Sequence, residues 1–289
     1  PQPSRAPTPT AAPSAAAVTP APSADPAAQA DFDAFLEQVF VEELSEADTL
    51  TVHYLLVHPE AYGLSLTPAT LGDLSVEDEA DSRAETEDLL EELRGHDRAA
   101  LPEDRQVTYD VLEDYLERQL AFPEGSELYG TLFSPVTGLQ VNLPISLSNY
   151  AFYTAADVPV YLELLQDVDR YLAQGEAYLD GQAAAGTLMS DVNLQSAARD
   201  LRAFTTDTEH NQLKTSFEER LSGVEGLSDG ERQELLQRND DILTKEVYPA
   251  FDRLADKLEA LQGKGVSGAL SDLPLGRAYY EALVALDTG

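Results

Sequence analysis

Apolar residues recur at helical spacing along most of the chain. Phe32, Phe35, Leu36, Val39 and Phe40 fall at i, i+3, i+4, i+7 and i+8, which predicts a helix with one buried face. Ser75 is placed to open another helix, because Glu77, Asp78 and Glu79 crowd its first turn, where the macrodipole favours acids. Leu89, Leu90 and Leu93 supply its apolar stripe and Gly95 its end. A helix starting near Pro102 is expected to bury Val111, Leu112, Tyr115, Leu116 and Leu120.

The helical period lapses between Phe122 and Tyr153. Gly125, Gly130, Pro135, Gly138 and Pro144 punctuate short apolar pieces, and residues 139–143 (LQVNL) alternate as a strand would. An irregular excursion holding a small β-hairpin is therefore expected around residues 123–153.

Helical spacing then returns. Thr154 and Asp157 resemble a capped start, with Tyr161, Leu164, Leu165, Val168, Tyr171, Leu172, Tyr178 and Leu179 on one side. Further helices are predicted from Asp191 through Phe204 and around Leu213, Phe217 and Leu221. Ser228 and Glu231 form a capping box for a long helix running to Leu261, which Pro249 should kink. After Gly263, Gly265 and Gly268, a last helix spans about Leu275 to Leu286. The expected fold class is mainly α, a helical array.

Composition changes this picture at one end. Residues 1–30 hold 8 of the 17 prolines and 11 alanines, and only Arg5 and Asp25 are charged. Such a segment has no face to bury and should stay extended, as a tether. It reads either as a linker or as a spacer to a cell-surface anchor, such as a lipidated cysteine upstream. Residues 31–289 carry 52 acids and 17 bases, so the whole formal charge of −35 belongs to this body. That excess would repel nucleic acid and disfavours an anionic lipid surface. No apolar run approaches the length of a spanning helix. With 43% hydrophobic residues, the body has ample material for a core.

Candidate chemistry is sparse. Zero cysteines exclude disulfides, thiolate nucleophiles and Cys-ligated metals. The four histidines, His53, His58, His96 and His210, are followed by Tyr54, Pro59, Asp97 and Asn211, so no His-Glu-x-x-His helix is present. The inverted form fails at 206–210, where Thr206 stands in place of the first histidine. His53 and His58 either share a metal with Glu60 or are hydrogen-bonded residues of a partly buried surface. The acidic cluster 77–81 lacks the glycine and terminal glutamate of a calcium loop and reads as a charged helix face. No Gly-x-Ser-x-Gly elbow or phosphate-binding glycine loop occurs. Aromatic side chains are the remaining candidates: Tyr150, Phe152 and Tyr153, and the pair Tyr279-Tyr280, suit either a cleft or a core.

Several stretches together carry a family resemblance: 32–41 (FDAFLEQVFV), 49–54 (TLTVHY), 58–63 (HPEAYG), 137–140 (TGLQ) with 143–145 (LPI), 186–191 (GTLMSD), 248–250 (YPA) and 275–280 (LGRAYY). In this order they resemble the bacterial family catalogued as domain of unknown function 885, over nearly all of residues 31–289. The resemblance implies a larger, mostly helical protein, often a secreted lipoprotein, similar to zincin-type zinc metallopeptidases. It further implies that this chain is the N-terminal half, with zinc and its His-Glu-x-x-His helix in a C-terminal part beyond Gly289. On that reading the partners are the C-terminal half and a peptide substrate, and the location is extracytoplasmic at the cell surface. Tyr150, Phe152, Tyr279 and Tyr280 would line one wall of the peptide cleft, and an exposed apolar face would meet the other half. The alternative is a non-catalytic surface binding module on a flexible tether.

Overall fold

The computed structural model describes residues 25–74 and 78–288. Eleven α-helices are present among these residues, and no strand. They are α1 (Pro26–Glu46), α2 (Thr49–Leu55), α3 (Asp78–Gly95), α4 (Glu103–Leu120), α5 (Leu139–Asn149) and α6 (Asp157–Ala185). They continue with α7 (Asp191–Thr206), α8 (Gln212–Ser222), α9 (Asp229–Ile242), α10 (Tyr248–Ala260) and α11 (Gly276–Thr288).

Helix α1 begins five residues inside the stretch expected to be an extended tail. The Asp25 carboxylate caps it by accepting from the Ala27 N–H at 3.0 Å, and Pro26 fits the first turn, where no N–H is needed. The rest of that tail, and the expected helix start at Ser75, lie outside the described residues.

Two hydrophobic cores divide the bundle. The smaller one joins Phe32 and Phe35 of α1 to Leu90 and Leu93 of α3 and Tyr109 and Leu116 of α4. Val111 and Tyr115, expected in this core, are exposed instead. They belong with Val107 to a separate i, i+4, i+8 stripe, while α4 meets α3 through the face of Tyr109, Leu112 and Leu116.

The larger core is built around α6. Its first half is the more deeply buried, through Val158, Val160, Tyr161, Leu162, Leu164, Leu165 and Val168, and its second half is buried only along Leu172, Gly175, Leu179 and Gln182. Helices α5, α7, α8 and α10 contribute Leu147, Leu201, Phe217 and Phe251 to the same core. The Ser228–Glu231 capping box forms as expected. Where Pro249 was expected to kink the helix, a single π turn, Leu243–Val247, precedes Tyr248 and Pro249. Proline cannot donate to the carbonyl one turn back, and the wider turn re-routes the ladder around it.

The expected β-hairpin is a helix. Extended past residue 143, the pattern buries Gln140, Leu143, Pro144 and Leu147, at i, i+3, i+4 and i+7. The turn before α5 is tied by the Thr137 N–H to Ser134 Oγ (3.1 Å) and by Gln140 Nε2 to the Ser134 carbonyl (2.7 Å). Five alternating residues were too few to separate the two periods.

The polar face of α6 also binds the loop at 69–74. Asp167 accepts from the Leu71 N–H at 2.8 Å, Glu163 from the Ala69 N–H at 3.2 Å and Gln174 from the Leu74 N–H at 3.1 Å. Arg170 joins the Gly72 carbonyl and Asp73 at 2.6 Å each. A loop without regular structure thus has several of its backbone groups met by α6, while Thr49 of α2 pairs with both the N–H and the carbonyl of Thr70.

Candidate functional site: an aromatic cleft between α2 and α5

The first turn of α2 is capped by Asp48, which accepts from the Thr51 N–H at 3.0 Å. This short helix carries His53 inward and Tyr54 and Leu55 outward, so adjacent residues take opposite fates. His53 is 5% exposed and Tyr54 87%. His53 meets the chain that leaves α5. Its Nε2 donates to the Ala151 carbonyl at 2.8 Å, and its ring stacks on Tyr150 with centroids 3.8 Å apart and planes 9° from parallel. Tyr153 also packs against the imidazole, with centroids 5.3 Å apart and planes tilted by 38°.

These residues line a cleft of about 430 Å³ with Leu50, Thr51, Leu55, Ser146, Asn149 and Ala151. No Asp, Glu, Lys or Arg is among its lining residues. Burial pushes the His53 pKa below its ordinary value, against the opposing pull of the Ala151 carbonyl and Asp157. The ring is therefore neutral at pH 7. Burial likewise raises the Tyr150 phenol well above its usual range, with Asp157 adding to the rise and Arg220 opposing it. The Tyr150 hydroxyl is enclosed and has no hydrogen-bond partner among the described residues.

Behind the cleft stands Arg220 of α8. Its guanidinium lies 4.6 Å from the ring centroids of both Phe152 and Tyr161. It donates to the carbonyls of Leu147 (3.2 Å) and Tyr150, which closes the C-terminus of α5. Sequence reasoning did not single out this arginine. Its signal was weak, since one cation among aromatics far apart in the chain has no motif.

The four aromatic candidates are not brought together. Tyr150 floors the cleft. Phe152 turns into the larger core, edge-on to Tyr161 and Phe217 at 5.5 and 5.7 Å. Tyr279 lies elsewhere, packed on Phe122 and Tyr129, beside a separate hollow of about 360 Å³ that Arg83, Glu124 and Glu127 also line. Tyr280 is exposed on α11.

The histidines do not assemble a metal site. His58 is on the surface, its Nδ1 3.1 Å from Glu60, while His53 is committed to Ala151 and Tyr150. Among the described residues, no three His, Asp or Glu side chains are grouped to hold a metal ion. The donor set that zinc requires does not fit the described residues.

The sequence motifs outside the cleft have structural explanations. In the GTLMSD stretch, Ser190 caps α7, and Asp191 Oδ1 accepts from the Gly263 and Gly265 N–H groups at 2.9 and 3.1 Å. In the YPA stretch, Tyr248 and Pro249 follow the π turn.

Among the described residues, the protein is mainly helical, with two hydrophobic cores and an uncharged aromatic cleft. The chain matches the family described as bacterial protein of unknown function, DUF885, over residues 60–289, and it belongs to that family. A comparison with curated proteins finds no match. Among solved structures, the fold is similar to the crystal structure of "the putative lipoprotein from Colwellia psychrerythraea", with a TM-score of 0.75 and 18% sequence identity. The match covers 89% of this chain and 46% of that one, so the chain spans less than half the length of the structure it resembles. No helix among the described residues is long and apolar enough to cross a membrane.

Proposed function

We propose that this chain is the N-terminal helical half of a cell-surface, zinc-metallopeptidase-like protein. It forms one wall of a peptide cleft and leaves the zinc to a C-terminal part of the same protein. The observation that carries the reading is the match of nearly the whole chain to less than half of a larger protein described as a lipoprotein. The cleft between α2 and α5 supports it, because Tyr54, Leu55 and Tyr153 stand exposed there and Asn149 and Ser146 offer neutral hydrogen-bonding groups. Exposed apolar stripes, Val107-Val111-Tyr115 on α4 and Tyr280-Val284 on α11, are the surfaces proposed to meet the other half. Location outside the cytoplasm on a lipid anchor belongs to the same proposal.

The test is to express the complete reading frame containing this chain, then measure bound zinc and cleavage of a mixed peptide pool with and without chelator. Stoichiometric zinc and chelator-sensitive cleavage support the reading. A product that binds no zinc and cleaves nothing contradicts it. The second reading, a non-catalytic surface binding module, is favoured by one feature: the cleft is formed entirely within this chain.

A further inference from the structure

We infer that the cleft between α2 and α5 selects peptides by a neutral aromatic side chain. This rests on the peptide-cleft reading and adds the class of residue recognised. Three observations lead to it.

First, the cleft is uncharged in a chain of formal charge −35. An acidic ligand is repelled by the surrounding surface, and a basic one finds no carboxylate among the lining residues to pair with. A neutral ligand meets neither of these penalties.

Second, aromatic rings make up the floor and the rim. His53 and Tyr150 form a rigid stacked pair, and Tyr153 leans against it. Tyr54 stands exposed at the edge. Offset or edge-on packing of one more ring adds a favourable contact beyond burial of its area. Tyrosines also order at little entropic cost, as in other binding surfaces. The volume, about 430 Å³, lies in the range of sites that enclose small ligands and suits one bulky side chain with its flanking backbone.

Third, the polar capacity present is neutral and unused. Asn149 and Ser146 carry side-chain donors and acceptors on the exposed edge of α5. The Asn149 amide can both accept from and donate to a peptide unit. With Nε2–H given to Ala151, neutral His53 keeps Nδ1 as an acceptor.

The experiment titrates the 289-residue chain with blocked pentapeptides, Ac-Ala-Ala-X-Ala-Ala-NH2, with X as Tyr, Phe, Leu, Lys or Glu. Tyrosine and histidine ring resonances are the readout. The Tyr and Phe peptides are expected to bind about tenfold or more tightly than the Lys and Glu peptides. They should shift the His53, Tyr54, Tyr150 and Tyr153 signals. Tyr54→Ala, a change at an exposed position, should weaken the Tyr peptide several-fold and leave the melting temperature unchanged. Equal binding of all five peptides at these resonances overturns the aromatic preference while leaving the peptide cleft standing. Binding of none, by a chain that melts normally, overturns both.

Discussion

The imidazole of His53 lies flat on the phenol of Tyr150, 3.8 Å between centroids, and this contact fastens α2 to the chain leaving α5. The single hydrogen bond from Nε2 to the Ala151 carbonyl fixes the ring's rotation and its tautomer.

His53 is expected to titrate below the ordinary 6.5 in the folded chain, because burial is the main influence on it. The unfolded chain takes up this proton first as the pH falls. The contribution of His53 is therefore complete above about 6.5 and is lost as pH falls toward the folded value. NMR titration of the ring checks it, together with the stability of His53→Phe, which should lack this part of the pH dependence. A ring titrating at or above 6.5 would contradict the buried neutral state.

Arg220 should be the most costly single change near the cleft. In Arg220→Met the stem still packs, but the Tyr150 carbonyl loses its donor, the Leu147 carbonyl keeps only the Tyr150 N–H, and the Phe152 and Tyr161 rings lose a cation. The expected loss is about 2–4 kcal/mol in chemical denaturation, with the His53 ring signal displaced. A loss below about 0.5 kcal/mol would mean that α5 ends securely without it.

Much of the helical framework was legible because burial follows one stripe in most elements, as in Leu213, Phe217 and Leu221 of α8. The strand reading of residues 139–143 failed where a proline and five alternating residues masked a stripe that becomes clear only at Leu147. The helical start at Pro26 was hidden by a composition typical of tails, since its cap, Asp25, is a single residue. The cleft was half legible. Tyr150 and Tyr153 stood out as aromatics and His53 as one of four histidines. Their meeting depends on the path of a chain that joins two distant helices, and local spacing carries no record of it. The same limit explains why Phe152, two residues from Tyr150, enters the core.

The loop at 69–74 should depend on Asp167. Burial works against this carboxylate, but hydrogen bonds from Arg170, the Leu71 N–H and Thr70 outweigh it and hold its carboxyl below the usual carboxylate range. Its contribution is present above the unfolded pKa and is lost as pH falls through the depressed folded value. Asp167→Asn should cost about 1–3 kcal/mol and speed hydrogen exchange at the Leu71 N–H. Unchanged exchange there would show that Arg170 and Gln174 suffice.

Gly265 is required for close approach rather than for an unusual dihedral. A Cβ there would sit 2.6 Å from both the Met189 carbonyl oxygen and the Asp191 nitrogen. Because these are backbone atoms, Gly265→Ala should cost about 1–3 kcal/mol. Gly230→Ala meets nothing within 4 Å on helix α9 and should be neutral or slightly stabilising. Denaturation midpoints of the two variants check this pair, and equal midpoints would contradict it.

The central claim is that this chain is one half of a larger surface protein, and the intact mass of the natively produced protein tests it most directly. The match to 46% of the Colwellia psychrerythraea chain predicts a product near twice the 31.4 kDa of this sequence; under the proposed function the remaining part carries a zinc-ligating His-Glu-x-x-His helix. A native product near 31.4 kDa would contradict the account and leave the aromatic cleft as the whole of a binding module.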